Sequence, residues 1–267
     1  MTRLEDYASK YNNIRFERSD GILQMTLHTE DEPFVFSVEA DDTLGAAFAD
    51  VAADRANKVV ILTGSGNRFC ADFDYGSFAE LINPDPVSAW LRIRANGVRM
   101  LTAFMSIEVP VISAINGPAV THSELPLLAD VVLAADSTVF QDATHFAAGG
   151  PPPGDGMHVV WTTLLGLNRG RYFLMTGQKI DAAEALRLGV VGEVLPLDEL
   201  SNRAWELART FAASSRANLV NTRSVLTMQW RRLLADQLHA GLTYEMAAAL
   251  TGPPIVAPEP PVVDLLP

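Results

Sequence analysis

A histidine and an aspartate lie at the two ends of a short loop that is rich in proline and glycine. His145 and Asp155 flank the segment FAAGGPPPG. Proline fixes φ at about −65° and glycine permits tight turns, so the loop can fold the two side chains back towards each other. A carboxylate beside an imidazole fixes its tautomer and raises its basicity, as in a general base that activates water. We therefore interpret His145 and Asp155 as a candidate catalytic pair.

Simpler roles remain open for these side chains. Asp155 precedes a helix that is predicted to begin near Met157, and it could serve only as the N-cap of that helix. His158 lies three residues after Asp155 and could compete for the same carboxylate. A histidine without a surrounding motif is more often structural than catalytic, so we interpret His28, His158 and His239 as structural or exposed.

Apolar runs of strand length alternate with segments of helical periodicity in the first half of the chain. We predict a hairpin at 14–28, helices at 41–55 and 87–105, and buried strands at 58–64, 109–115 and 129–136. Asp41 or Asp42 is available as the N-cap of the first of these helices. Each buried strand leads into a polar or glycine-bearing loop, which is typical of an α/β fold with functional groups at the strand ends.

Helical periodicity dominates the second half of the chain. The predicted helices are 159–167, 182–188, 197–213 and one long segment at 217–250. Residues 251–267 are rich in proline, which cannot continue a helix. We therefore expect an extended arm or a disordered end there.

Composition argues against several classes of partner. The 267 residues carry a formal net charge of −12, and 48% of them are hydrophobic. A negative surface repels phosphate backbones and anionic lipids, so we expect no nucleic-acid or membrane partner. The longest apolar stretches, such as 131–135, are far shorter than the roughly 20 residues that a membrane span needs. Cys70 is the only cysteine, so no internal disulfide can form, and without an apolar leader we expect a cytoplasmic protein.

Three local motifs resemble those of the crotonase (enoyl-CoA hydratase/isomerase) superfamily. Residues 59–74, VVILTGSGNRFCADFD, are similar to the strand and loop that carry the first amide of its oxyanion hole. Residues 109–120, VPVISAINGPAV, are similar to the strand and turn that carry the second amide, and 165–200 resembles its helix pair. The resemblance implies an α/β fold with a crotonase-like ββα spiral core over 1–200, a C-terminal α-helical region over 201–250 and a proline-rich tail over 251–267.

The resemblance also implies positions in a site. The N–H of Phe73 corresponds to the first oxyanion-hole amide, and that of His122 corresponds to the second. The two glutamates that hydratases use would fall on Leu125 and on Thr144 or His145. Neither leucine nor threonine can take a proton from water, so we expect the hydratase pair of carboxylates to be missing.

A further set of matches, NGP before His122, the segment FQD…HF…PGDG and the later NRGRYFL, resembles the β-diketone hydrolases of this superfamily, such as 6-oxocamphor hydrolase. These enzymes hydrolyse a carbon–carbon bond without coenzyme A. The acidic loop at 29–32 favours this branch, because its carboxylates would repel the CoA phosphates. The resemblance implies that His145 and Asp155 activate water and that His122 stabilises the developing enolate. Glu245 would orient the water or relay the proton that quenches the enolate carbon.

The expected substrate is a small-molecule cyclic or bicyclic β-diketone, with no cofactor and no metal. The sequence contains no H-E-x-x-H zinc spacing, no complete dinucleotide fingerprint and no G-x-S-x-G elbow. The side chains expected to bind substrate, which could equally be ordinary core, are Phe73, Phe78, Leu81, Trp90 and Phe146. A CoA-thioester hydratase or isomerase that uses different residues and a non-catalytic member of the fold remain open. The family also implies a homotrimer or a dimer of trimers, in which C-terminal helices cover a neighbour's site.

Overall fold

The computed structural model describes residues 2–253. Its strands and helices alternate along the chain as an α/β fold. In chain order they are α1 (Leu4–Tyr7), β1 (Ile14–Ser19), β2 (Ile22–Leu27), β3 (Val35–Phe36), α2 (Val38–Ala53), β4 (Val59–Gly64), β5 (Asp72–Phe73), α3 (Tyr75–Ile82), α4 (Pro86–Ser106), β6 (Val111–Ile115), α5 (Glu124–Leu127), β7 (Val131–Ala135), β8 (Val139–Phe140), α6 (Met157–Thr176), β9 (Ile180–Asp181), α7 (Ala182–Leu188), β10 (Glu193–Leu195), α8 (Leu197–Ala212), α9 (Arg216–Leu226) and α10 (Met228–Ala249). A 3₁₀ turn, Phe146–Ala148, lies between β8 and α6.

The main sheet within the described range has six strands in the order β1-β2-β4-β6-β7-β10. The β1–β2 hairpin is antiparallel, and the later neighbouring strands pair in parallel. Because the carboxyl ends of parallel strands meet at one edge of a sheet, the loops after β4, β6 and β7 lie side by side. Short ladders of β3 with β5 and of β8 with β9 extend from these loops.

Both faces of the main sheet are covered, which explains the continuous apolar runs of its central strands. All five residues of β6 are buried. One face packs against α8 in a cluster that contains Ile61, Ile112 and Ala204, and the other lies in the main core with α2 and α4. Helix α2 approaches α4 closely at Gly45, where a Cβ atom would stand 3.1 Å from the backbone nitrogen of Met100.

Sequence periodicity locates the opening hairpin and the central strands correctly. Both residues of the hairpin turn have positive φ (53° and 82°), as a two-residue hairpin of this twist requires. The N-cap predicted at Asp41 or Asp42 is wrong. Helix α2 begins earlier because Ser37 accepts a hydrogen bond from the N–H of Ala40.

The helical second half is longer and more interrupted than its periodicity predicts. Helix α6 continues well beyond its predicted end, through a non-helical Gly166 (φ 76°, ψ 158°). The single helix predicted at 217–250 is two helices, α9 and α10, which meet at Thr227. The hydroxyl of Thr227 donates to the carbonyl of Arg223, whose Nε lies 2.7 Å from the carboxylate of Asp130. This buried ion pair holds the end of α9 against the core.

Helix α10 packs against α4 and α6 of its own chain. The approach is close at Gly154, where a Cβ atom would stand 2.1 Å from the carbonyl oxygen of Gly241. The last helix thus packs against a loop of its own chain. The implied coverage of a neighbour's site stays a prediction. Most of the proline-rich segment predicted at 251–267 lies outside the described residues. Within residues 2–253, no helix combines the length and the apolar character needed to cross a membrane.

Candidate active site

Two loops at the carboxyl edge of the main sheet are tied together by one asparagine side chain. Asn116, directly after β6, accepts a hydrogen bond from the N–H of Gly64 at 3.0 Å. Its amide group donates to the carbonyls of Ser65, Gly66 and Arg68. A Cβ atom on Gly117 (φ 153°) would stand 1.9 Å from the carbonyl oxygen of Asn67, so only glycine fits there. The Asn-Gly pair therefore determines the path of the loop after β4.

The backbone amides of Phe73 and His122, which the resemblance assigned to an oxyanion hole, lie on two parallel segments just beyond the bonds made by Asn116. Cys70 and Ala119 form a parallel bridge, and Phe73 and His122 each lie three residues beyond it. In the β3–β5 ladder the carbonyl of Phe36 accepts from the residue after Phe73, which directs the N–H of Phe73 away from β3. The N–H of His122 donates to no backbone carbonyl within the described residues. The two amides therefore occupy corresponding places on neighbouring segments, and their use as an oxyanion hole stays a prediction.

His145 is buried, and its ring is held by Asp142 and not by Asp155. Its Nδ1 lies 2.8 Å from Asp142 Oδ1, which also accepts from the backbone N–H of His145 at 3.3 Å. Asp155 faces the opposite ring nitrogen, with its Oδ2 3.7 Å from Nε2. The interpretation that Asp155 orients the imidazole is therefore wrong, because a nearer carboxylate already occupies Nδ1. Sequence reasoning missed Asp142, whose Oδ1 also accepts from the N–H of Thr144 two residues on, as in an Asx turn.

His122 is held from three directions. Its Nδ1 lies 2.9 Å from Glu124 Oε1 and 3.3 Å from Asp155 Oδ2. The ring lies against Phe36, with centroids 3.9 Å apart and planes inclined by 36°. The backbone has a φ of 48°, in the left-handed region that a non-glycine residue enters at a cost. Within the described residues, Nε2 has no hydrogen-bond partner and is free for a ligand.

Glu124 is a carboxylate of the cluster that sequence reasoning missed. It begins the short helix α5 and bonds to His122 from two residues further along the chain. Glu124 has no solvent exposure, and its Oε2 has no hydrogen-bond partner among the described residues. The correspondence of Leu125 to a hydratase glutamate stays a prediction.

Asp155 lies between the two imidazoles and makes two kinds of contact. Its Oδ1 accepts from the N–H of Met157 at 3.2 Å, so the helix-capping contact left open by the sequence is present. Its Oδ2 lies beside both imidazoles without a well-aligned hydrogen bond within the described residues. His158 does not compete for this carboxylate, since its Nδ1 pairs with the carbonyl of Pro153 at 2.9 Å.

Glu245 reaches the cluster from α10. Its side chain is buried and therefore does not lie on a solvated face of the helix. Its Oε1 lies 4.0 Å from His145 Nε2, close to the 3.7 Å that separates this nitrogen from Asp155 Oδ2. Both separations are too long for direct hydrogen bonds, but one water molecule could bond to all three groups.

The carboxylates keep both histidines protonated. Burial disfavours the charged ring of His122, but Glu124 and Asp155 outweigh it and raise its pKa to about 9. Burial is likewise outweighed at His145, where Asp155 and Asp142 raise the pKa to about 10. The neighbouring carboxylates therefore favour the positively charged form of both rings at neutral pH. The role of His145 as a base stays a prediction.

The three carboxyl groups of the cluster differ in pKa and therefore in their charge at neutral pH. Burial and the neighbouring Asp155 raise the pKa of Glu245 to about 8. Burial would raise the pKa of Asp155 too, but the two imidazoles hold it below its usual range. Burial and Asp155 raise the pKa of Glu124, and the facing imidazole opposes that rise. Asp155 is thus ionised at neutral pH, while Glu245 holds a proton.

Aromatic rings form a wall beside His122. Phe73 stacks on Phe78 with centroids 4.6 Å apart, and Phe36 lies parallel to Phe78 at 6.2 Å. Phe36 also contacts the imidazole, as described above, and so joins the wall to the cluster. The structure therefore brings two predicted pocket residues together with one that the sequence did not indicate.

Two other predicted pocket residues, Leu81 and Trp90, belong to the main core, which also contains Phe36 and Phe78. Their part in a pocket stays a prediction. Phe146 is 53% exposed, which does not fit a pocket wall. Its place in the sequence directly after His145 is misleading, because the 3₁₀ turn that begins there directs neighbouring side chains differently.

Two groups of three ligand-type side chains have atoms within 4.8 Å of one another. They are His122, Glu124 and Asp155, and His145, Asp155 and Glu245. A metal ion binds the neutral imidazole, so a metal at either group would have to displace the proton that the neighbouring carboxylates favour on the ring. The absence of a metal from the reaction stays a prediction.

Known proteins with similar sequences decide the family. The sequence pattern described as enoyl-CoA hydratase/isomerase matches residues 17–248. The chain belongs to the enoyl-CoA hydratase/isomerase family. A probable enoyl-CoA hydratase from Rhodobacter capsulatus is 32% identical over 217 residues, which cover 78% of this chain and 81% of the relative. A carnitinyl-CoA dehydratase from Citrobacter koseri is 33% identical over 207 residues, or 76% of each chain.

Solved structures add a different activity to this comparison. A β-diketone hydrolase from the cyanobacterium Anabaena sp. PCC 7120, bound to (S)-3-oxocyclohexyl acetic acid, is 43% identical with a TM-score of 0.88. The match covers 92% of this chain and 97% of that one. An enoyl-CoA hydratase/isomerase from Mycobacterium paratuberculosis has a TM-score of 0.82 at 21% identity, which shows the fold alone. The predicted superfamily and its α/β fold with C-terminal helices are confirmed.

Proposed function

We propose that this family member is a hydrolase that cleaves a carbon–carbon bond of cyclic or bicyclic β-diketones by a retro-Claisen reaction. The observation that carries the proposal is the pair of buried imidazoles, His122 and His145, which lie 3.3 and 3.7 Å from Asp155 Oδ2. The reaction needs one group that activates water and another that receives negative charge. The similarity to a β-diketone hydrolase at 43% identity supports the same function.

Water activation belongs to the His145 side of the cluster. A water molecule bonded to Nε2, Asp155 and Glu245 would have the His145–Asp155 pair as its proton acceptor. This pair holds one proton at neutral pH, because the pKa of His145 is about 10 and that of Asp155 is lowered. The ionised Asp155 of this pair accepts the water proton while the water oxygen attacks one carbonyl carbon, so that O–H cleavage and C–O formation occur together. Asp142 fixes the ring so that Nε2 faces this water.

Negative charge then develops on the other side of the cluster. Attack makes a tetrahedral oxyanion, which the amides of Phe73 and His122 would bind. When the bond between the attacked carbon and the central carbon breaks, its electron pair forms an enolate with the second carbonyl. The imidazolium of His122 donates a hydrogen bond to the enolate oxygen. The proton taken from water returns through Glu245 to the enolate carbon, so one diketone and one water become one keto acid.

The rest of the site suits an uncharged hydrocarbon ring. Phe36, Phe73 and Phe78 offer an apolar wall, and a neutral diketone enters it with little desolvation cost. No phosphate group has to be held, in keeping with a net charge of −12. The proposed partner is therefore a free small molecule, without coenzyme A, metal, nucleic acid or membrane. We further propose a homotrimer or dimer of trimers that works in the cytoplasm.

Hydration of a CoA thioester is the second candidate. Glu124 in the site favours it, as do relatives named for CoA-thioester chemistry that are 32% and 33% identical. Such a reaction needs carboxylates that exchange protons directly with water and substrate. Against it, Glu124 is bonded to His122 and Glu245 lies beside a second imidazole.

Parallel assays separate the two candidates. One contains the bicyclic 1,3-diketone whose ring opening gives 3-oxocyclohexyl acetic acid, with and without a chelator, and the other contains crotonyl-CoA. We expect keto acid to form at the same rate with chelator, and no thioester hydration. Rapid hydration without ring opening would establish the second candidate. Loss of ring opening on chelation would show that a metal is required.

A further inference from the structure

Glu124 is a buried carboxylate with one hydrogen-bonded side-chain partner among the described residues, the imidazole of His122. Its Oε1 lies 2.9 Å from Nδ1, and its side chain is fully buried. An ionised carboxylate is stable in such a place only opposite a positive charge or strong donor. The 2.9 Å contact therefore favours a carboxylate opposite an imidazolium. The carboxylates beside the ring raise the pKa of His122 to about 9, and the imidazolium opposes the rise that burial causes in the pKa of Glu124.

Other charged groups face His122 from several elements, but they do not hydrogen-bond to it. They are Asp41 from α2, His145 and Asp155 from the segment before α6, and Glu245 from α10. Asp41 bonds to Asn96 instead, at 2.6 Å. Phe36 lies against the ring, where its π face favours a cation. Glu124 is thus the group that determines which ring nitrogen is occupied.

The geometry leaves one end of the imidazolium for substrate. Glu124 lies two residues after His122, and the φ of 48° at the histidine turns the short segment back on itself. Because Nδ1 is occupied, the N–H at Nε2 is the ring donor that remains. The histidine side chain keeps 16% exposure while the glutamate has none. The carboxylate therefore lies behind the ring and not in contact with the reacting atoms.

We propose that Glu124 is a positioning residue for diketone cleavage, which keeps a proton on His122 and directs Nε2–H at the enolate oxygen. The reaction step rests on the function proposed above. The protonation of the ring does not depend on that function, because it rests on the contact between Glu124 and His122, which Asp155 supports by its charge. In this role Glu124 acts through His122, unlike a carboxylate that exchanges protons with substrate.

The test removes the charge of Glu124 and keeps its shape. Glu124→Gln is compared with wild type and with Asp41→Asn, which neutralises another buried carboxyl group near the ring without breaking a bond to it. Turnover of the bicyclic diketone is measured from pH 5 to 10. In the same samples, nitrogen NMR follows the titration of His122, whose signal is identified by its loss in His122→Ala.

We expect Glu124→Gln to lower turnover roughly 100-fold at pH 8, the order of one well-aimed oxyanion donor. In the wild type the basic limb is set by Glu245 and His122, with pKa values of about 8 and about 9. In the variant it should move towards the ordinary imidazole value of about 6.5. Turnover should recover in part at pH 6, and the NMR titration should shift equally. Asp41→Asn should keep the wild-type limb.

An unmoved His122 titration in Glu124→Gln would overturn the proposal, even if turnover fell at every pH, because that pattern means a structural role. If the variant does not fold, the NMR titration of the wild type tests the proposal instead. A wild-type His122 that titrates near the ordinary value of about 6.5 would contradict it, because such a ring is not kept protonated by its neighbours. A wild-type protein that opens no diketone would contradict the proposed function. The NMR titration would still show whether Glu124 keeps the ring protonated.

Discussion

His145 pairs with Asp142 through Nδ1 at 2.8 Å, while Asp155 lies 3.7 Å away on the Nε2 side of the same ring. The ring can exchange a proton with the water through Nε2. Asp155 lies on that side of the ring, whereas Asp142 lies on the other. Asp142 belongs to an Asx turn and orients the imidazole locally. Asp155 lies at the end of the proline-glycine loop and faces the proposed position of the attacking water. Removing the charge of each should have a different effect.

Asp142→Asn should lower turnover by on the order of 10- to 100-fold and preserve the fold. The amide can still accept from the backbone N–H of His145, but it is neutral and no longer holds the protonated Nδ1 of the ring by its charge. Steady-state kinetics at pH 7 check this. Asp136→Asn makes the same change at an exposed position nearby and should have no effect. Equal rates for both variants would show that Asp142 does not orient the base.

Asp155→Asn should be more severe, with a loss of roughly 100- to 10,000-fold. The amide oxygen can keep the bond from the N–H of Met157, but it cannot share a proton with His145. Turnover and melting temperature are measured together. Asp181→Asn alters another helix-capping aspartate and provides the stability control. A lower melting temperature with unchanged turnover would leave Asp155 with the capping role alone.

Turnover should be nearly constant from pH 6 to 8 and fall at higher pH. The His145–Asp155 pair keeps one proton over this range, because the pKa of His145 is raised to about 10 and that of Asp155 is lowered. Above pH 8 Glu245 and then His122 lose the protons that the reaction uses. A pH–rate profile at saturating diketone checks this. A tenfold rise per pH unit between 6 and 8 would instead mean that neutral His145 is the sole base.

Asp41→Asn should stabilise the protein at pH 8 by roughly 1–3 kcal/mol and have little effect near pH 4. Burial raises the pKa of Asp41 to about 6, so the folded state binds this proton more tightly than the unfolded chain. Wild-type stability is therefore lost as the pH rises through 4 to 6, and the variant avoids that loss. Urea unfolding at both pH values measures the difference, with exposed Glu39→Gln as control. An equal gain at both values would contradict the assigned shift.

Much of the fold is accessible from the sequence because the central strands are buried on both faces. The runs at 58–64 and 109–115 can be little else than strands of a parallel sheet, and Asn116-Gly117 marks the turn that follows. Helix ends are harder, since the cap at Ser37 and the break at Thr227 depend on single side-chain contacts. Periodicity carries no information about these contacts.

The candidate site can be predicted from the sequence only in part, because some of its contacts also depend on single side chains. The predicted histidines lie in loops at strand ends, and the structure brings both to Asp155. Their carboxylate partners, Glu124 and Asp142, were missed because each contact depends on turn geometry within two or three residues. Phe36 comes from a two-residue strand that no pattern marks.

The central claim is that water adds to one carbonyl of a diketone and the adjoining carbon–carbon bond breaks. Ring opening in H₂¹⁸O, followed by mass spectrometry of the keto acid, measures this directly for wild type and for His145→Ala. We predict one ¹⁸O atom in each new carboxylate, and a rate at least about 100-fold lower in the variant. Absence of a keto acid from the wild type, or an unlabelled carboxylate, would contradict the account.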